Sequence, residues 1–172
     1  MNVTLIGMPG VGKSFLGEKL ARKLNLSFLD IDKIMEGNNS KSLQELLDSL
    51  GPEKFIDLEE KEIIKLKDVK NSVISPGGSV IYSEKAMALL KEISVVIFLE
   101  ANLNVVMNGL SNLKVRGIVG LQDKSIQDIF LEREGLFKKH ANIVVNTDDS
   151  NPERMIDEML FKIMEIRKQN IL

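Results

Sequence analysis

Gly7-Met8-Pro9-Gly10-Val11-Gly12-Lys13-Ser14 fills every fixed position of the spacing GxxxxGK[ST]. Just before it, Val3 to Ile6 is a short apolar and β-branched run that reads as a strand. Just after it, Leu16, Leu20 and Leu24 recur every four residues and predict a helix over Lys13 to Leu24 with one apolar stripe. Glu18 and Arg22 stand i,i+4 on its outer face, worth a few tenths of a kcal/mol. A glycine turn between a strand and a helix start brings successive backbone N–H groups onto phosphate oxygens and adds the positive end of the helix dipole. Lys13 then supplies a point charge for β- and γ-phosphates, and Ser14 offers a hydroxyl to the Mg²⁺ that bridges them. The stretch predicts nucleotide binding.

Working outward, short β-branched runs alternate with longer stretches of helical period, the pattern of strand-helix-strand units on a parallel sheet. Candidate strands are Val3 to Ile6, Ser27 to Asp30, Ser72 to Ser75, Val95 to Leu99 and Ile143 to Val145. A chain of 172 residues suits a single domain, 1–172. An insertion at about 33–69 carries two helical stretches, Ser42 to Leu50 and Pro52 to about Lys67, parted by Gly51-Pro52. Helices are also expected after Ser83, from Ser125 to about Lys139, and from Pro152 towards Gln169 with Ser150 or Asn151 as cap. Between them, about 109–124 is rich in Asn and Gly and reads as a mobile lid loop.

Composition narrows the chemistry. The absence of cysteine excludes disulfides, thiolate catalysis and cysteine-ligated metal, and a single histidine removes most histidine-based metal sites. A net charge of -2 provides no positive field for a nucleic acid backbone. The longest strongly apolar run, Val95 to Leu99, is far too short to span a bilayer, and the N-terminus lacks a basic leader, so a cytoplasmic protein is expected. Three further features follow the glycine turn. Asp30 and Asp32 end a strand, where the period of two sends both carboxylates towards the ligand crevice of an open α/β sheet. One can steady Mg²⁺ through water and the other can take the proton of an attacking hydroxyl; a capping role for Asp32 is the competing reading. Gly77 and Gly78 close another strand and permit close approach by a ligand. Arg116 in the lid loop can close over transferred phosphate, and Arg133 in a helix can grip a carboxylate.

In this order the motifs resemble shikimate kinase, a family of small nucleoside-monophosphate-kinase-like enzymes, over nearly the whole chain. The resemblance implies a three-layer α/β/α P-loop NTPase fold with five parallel strands. It implies ATP as co-substrate, bound by Gly7, Pro9, Gly10, Val11, Gly12, Lys13, Ser14 and Phe15, with Arg116 over the phosphates and Pro152 beside adenine. It makes Asp32 the base that meets the substrate hydroxyl, Ser14 and Asp30 the Mg²⁺ side, and Glu59, Gly77, Gly78, Ser79 and Arg133 the acceptor site. A monomer acting on a small anionic hydroxylated metabolite is implied as well. Three positions depart from the family pattern. Ile56 stands where a second carboxylate-binding arginine is usual, Ser79 replaces the third glycine of a triplet, and Gly109 falls where an arginine stacks on adenine. Loss of one partner of a buried charge pair costs about 2–5 kcal/mol. The acceptor is therefore shikimate or, with Ile56 as an apolar wall, another small hydroxylated acid, amino alcohol or polyol; a non-catalytic nucleotide-binding regulator is the remaining alternative.

Overall fold

The computed structural model describes residues 1–111, 117–148 and 151–169. Five strands, β1 (Val3–Ile6), β2 (Ser27–Asp30), β3 (Ser72–Ser75), β4 (Val95–Glu100) and β5 (Ile143–Asn146), make one parallel sheet in the order β2-β3-β1-β4-β5. Seven helices are described, α1 (Lys13–Leu24), α2 (Ile31–Asn39), α3 (Leu43–Ile64), α4 (Glu84–Ile93), α5 (Leu103–Ser111), α6 (Ile126–His140) and α7 (Pro152–Gln169). The α/β architecture and the five strands expected from the sequence are present, with β4 and β5 each one residue longer than expected.

Every residue of β1 and β3 is buried. Because neighbouring strand residues face opposite ways, this means that both faces of the sheet centre are covered, as parallel crossovers require. β1 holds the centre, with Val3 opposite Val73 on one side and Val95 on the other. The crossovers from β1 and from β3 leave in opposite directions, so a crevice opens beyond the C-terminal end of β1. The α1 stripe fills one covering layer, with Leu16 and Leu20 buried and Leu24 packed at its margin. Phe98 of β4 stacks on Phe137 of α6 with ring centroids 5.1 Å apart.

Local chemistry accounts for the helix starts. The Ser83 hydroxyl accepts from the Ala86 N–H, and Ser125 forms a reciprocal capping box with Asp128. Asn151 accepts from the N–H groups of Glu153 and Arg154 and begins α7. Three elements differ from expectation. The insertion helices join as α3, kinked at Gly51 (φ 77°, ψ 167°) just before Pro52, and α3 ends at Ile64. α2 and α5 have no counterpart in the sequence reading. α5 forms because the Asn102 side chain accepts from the Val105 N–H and Val106 is fully buried, and it carries helical structure through Gly109 to Ser111. The non-helical stretch thus starts later than 109.

The buried stripe of α1 sets a stability contrast. Leu20→Ala is expected to cost about 2–5 kcal/mol in urea unfolding, while Arg22→Ala at the exposed end of the same helix should stay within about 0.5 kcal/mol.

Candidate active site

The glycine turn leaves β1 and enters α1 at the crevice. Gly10 and Gly12 both have φ near 90°, which side-chain-bearing residues rarely adopt, and Gly12 is the residue before the first turn of α1. No side chain caps that helix and no acidic residue lies in its first turn, so its leading N–H groups and its dipole are directed to whatever anion occupies the turn. Lys13 is buried and its ammonium donates to the carbonyls of Gly7 (2.9 Å) and Met8 (3.1 Å), which holds the charge over the loop. Ser14 Oγ donates to Asp30 Oδ2 at 2.7 Å.

Asp30 and Asp32 do not share a strand face as the period of two predicts. β2 ends at Asp30 and α2 begins at once, so Asp30 is the helix cap, its Oδ1 accepting from the Lys33 N–H. The capping role considered for Asp32 thus belongs to Asp30. Asp32, in the first turn of α2, lines two neighbouring recesses. The larger runs along Gly10, Gly12, Lys13, Ser14, Phe15, Ser75 and Gly109. The smaller is bounded by Pro9, Leu43, Phe55, Gly77, Gly78, Ser79, residues 117–119 and Arg133. Lys13 and Asp32 belong to both recesses and mark their junction.

Arg133 is 1% exposed. Its Nη2 donates to the Val119 carbonyl at 2.8 Å and its Nε to the Tyr82 hydroxyl at 3.2 Å, and no carboxylate among the described residues lies within ion-pair distance of it. A cation taken out of water without a counterion is costly, so the site is electrostatically ready for an anionic group. Glu59 of α3 is its negative counterpart, also 1% exposed. Ser79 Oγ donates to Glu59 Oε2 at 2.6 Å, while Oε1 has no hydrogen-bond partner among the described residues. Burial first, and the nearby Asp32 charge second, push the Glu59 carboxyl up to about 7, partly offset by Ser79 and Arg133. A β-carbon on Gly77 would meet Glu59 Oε1 at 2.7 Å and Asp32 Oδ1 at 2.8 Å, so both acids crowd that glycine.

Other sequence candidates are placed less centrally. Glu59 lies behind Gly77 and does not line the smaller recess. Ile56 is half-buried against the core and does not supply the apolar wall expected of it; Leu43 and Phe55 do. Val11 is buried within the turn, Phe15 is 54% exposed at the larger recess, and Pro152 opens α7 without lining either recess. Arg116 lies outside the described residues. Gly109 is a close-packing site: a β-carbon there would come within 2.1 Å of the Gly10 carbonyl oxygen, so α5 rests on the phosphate turn itself. Sequence reasoning missed Leu43, Phe55, Ser75, Ile118 and Val119. Leu43 and Phe55 read only as helix apolar positions, and Val119 contributes a backbone carbonyl, which no side-chain pattern marks.

An anion-binding helix start that opens onto a recess bearing both a carboxylate and a buried guanidinium defines a P-loop phosphotransferase of small hydroxylated molecules. The shikimate kinase family model matches residues 9–164, and the chain belongs to the shikimate kinase family. It is 33% identical to the shikimate kinase of a Sulfurihydrogenibium species over 94% of this chain and 97% of that one. It is 30% identical to the shikimate kinase of Caldanaerobacter subterraneus over 96% and 98% of the two chains. Among solved structures, the Aquifex aeolicus shikimate kinase superposes with a TM-score of 0.82 at 28% identity, covering 95% of this chain and 96% of that one.

Two outcomes check this geometry. The folded Glu59 holds its proton to about pH 7 while an unfolded glutamate releases it near 4.5. Its stabilising contribution is therefore full below about 4.5 and is lost as pH rises through 7. Chemical unfolding between pH 4.5 and 7.5 should show the parent losing stability relative to Glu59→Gln, with a slope of up to about 1.4 kcal/mol per pH unit. Gly109→Ala should weaken nucleotide binding at least tenfold in calorimetry, because α5 must shift off the turn to clear the Gly10 carbonyl.

Proposed function

We propose that this protein transfers the γ-phosphoryl group of ATP to a hydroxyl of shikimate. The observation that carries the reading is the junction, where Lys13 and Asp32 border both the phosphate recess and the smaller recess that ends at Arg133. The turn amides and Lys13 hold the β- and γ-phosphates. The acceptor enters between Asp32 and Arg133, its carboxylate on the guanidinium and its hydroxyl against the Asp32 carboxylate, which takes the proton as the oxygen attacks phosphorus. The family resemblance assigns Arg116, outside the described residues, to the phosphates and Pro152, which lines neither recess, to the adenine side. Most of the rate enhancement then comes from positioning and charge stabilisation.

The donor set fits Mg²⁺. Ser14 Oγ and Asp30 are hard oxygen donors in contact beside the turn, and no group of three acidic or histidine ligands occurs among the described residues. Mg²⁺ is commonly held this way, by one or two protein oxygens, substrate phosphates and water. Ser14 would hold it through its hydroxyl and Asp30 would orient that hydroxyl, and the ion would supply neutralisation of charge on the phosphates. The same reading takes the enzyme as a monomer of the cytoplasm, where ATP is available as co-substrate. No helix among the described residues is long and apolar enough to cross a membrane.

Because Arg133 is the only arginine lining the smaller recess among the described residues, other small hydroxylated acids form the second reading. A coupled ADP-release assay over shikimate, other hydroxy acids, amino alcohols and sugars distinguishes them. Shikimate should stimulate ADP release, and Asp32→Asn should lower kcat by about 10²–10⁴ with nucleotide affinity retained. Release stimulated only by a different compound would reassign the acceptor, and an Asp32→Asn enzyme working at the parent rate would remove the base.

A further inference from the structure

Arg133 has a second tier of contacts that the reaction does not require and the sequence does not mark. Tyr82 ends the single 3₁₀ turn Val80–Tyr82 that follows the Gly77-Gly78 corner, and it does not line the acceptor recess. Its hydroxyl accepts from Arg133 Nε at 3.2 Å and donates to Glu132 Oε1 at 2.8 Å. Its ring lies under the guanidinium, 5.2 Å from centroid to Cζ. Glu132 in turn pairs with Lys124. The guanidinium is therefore fixed on two edges, Nε by Tyr82 and Nη2 by the Val119 carbonyl. Nη1 faces the Gly78 wall, 2.9 Å from where a β-carbon on that glycine would stand.

A guanidinium recognises carboxylate through a planar fork, so affinity depends on the angle of the plane as well as on the charge. With a single arginine lining the recess, no second guanidinium among the described residues compensates a tilted plane, and Tyr82 holds the Nε edge that the Val119 carbonyl at Nη2 leaves open. We propose that Tyr82 is a positioning residue for acceptor recognition, fixing the plane of Arg133 and so setting the preference for a carboxylate-bearing acceptor over its neutral counterpart. The proposal rests on the assignment of Arg133 to the acceptor carboxylate. Glu132 completes the device by accepting the hydrogen bond of the phenol O–H, which leaves the phenol oxygen lone pairs available to Nε.

Tyr82→Phe keeps the ring and its contact with the guanidinium and removes only the hydroxyl. Calorimetric titration of the parent and the variant with shikimate and with shikimate methyl ester isolates the carboxylate. The expected result is about a tenfold loss of affinity for the acid and less than a twofold change for the ester, with acceptor KM raised about tenfold and kcat and ATP KM within twofold. A purely structural tyrosine would lower the melting temperature and weaken acid and ester alike, and an unchanged acid-to-ester ratio would overturn the proposal. Should the parent bind another hydroxy acid in place of shikimate, the acceptor assignment falls and the same ratio, measured with that acid and its ester, judges Tyr82. A parent with no preference for any acid over its ester would overturn the Tyr82 proposal directly.

Discussion

The uncapped start of α1 is the constraint from which the rest of the site follows. A helix normally satisfies its leading N–H groups with a side chain, and here Gly12 has none to offer. The glycine conformation at Gly10 and Gly12 turns those groups inward, Lys13 folds over the same loop, and α5 packs against it through Gly109. Such a concentration of positive potential is stable only because the sheet centre beneath it is buried on both faces and does not yield. An anion would complete the turn electrostatically.

Beyond the junction the electrostatics are unusual for a recess this small. Among the described residues, a buried arginine without a carboxylate partner faces one side, and a buried glutamate with an unpartnered oxygen stands behind the other. Each alone would be expensive to keep out of water. Ser79 and the Tyr82 hydroxyl offset part of that cost locally, the first for Glu59 and the second for Arg133. On the proposed reading the part that belongs to Arg133 is met by the acceptor carboxylate, while Glu59 stands behind Gly77. Free energy withheld from folding in this way becomes binding energy.

Ser79 and Gly109 look in the sequence like losses from a family pattern, and the folded protein gives each a physical place. The Ser79 hydroxyl holds Glu59, and Gly109 permits backbone contact between α5 and the phosphate turn. Ile56 is different, since it simply packs inward and leaves the recess to Arg133. Asp30 and Asp32 are the clearest case of a correct location with the wrong geometry. They bracket a strand-to-helix transition, so the two carboxylates diverge to a cap and a recess.

The phosphate turn, the strands, α1 and the capped starts of α4, α6 and α7 were legible in the amino-acid order, because each depends on interactions within a few residues: glycine torsions, a four-residue apolar repeat, a serine or asparagine cap. α2 and α5 were not, since their short apolar faces acquire meaning only against α3 and the turn they cover. The wall that Leu43, Phe55 and Val119 give the smaller recess, the burial of Arg133 and its hold on Tyr82 likewise belong to tertiary structure alone. They join residues up to 90 positions apart, across a sheet whose strand order no local pattern encodes, and desolvation, unlike torsion, is decided by whatever happens to stand on the other side.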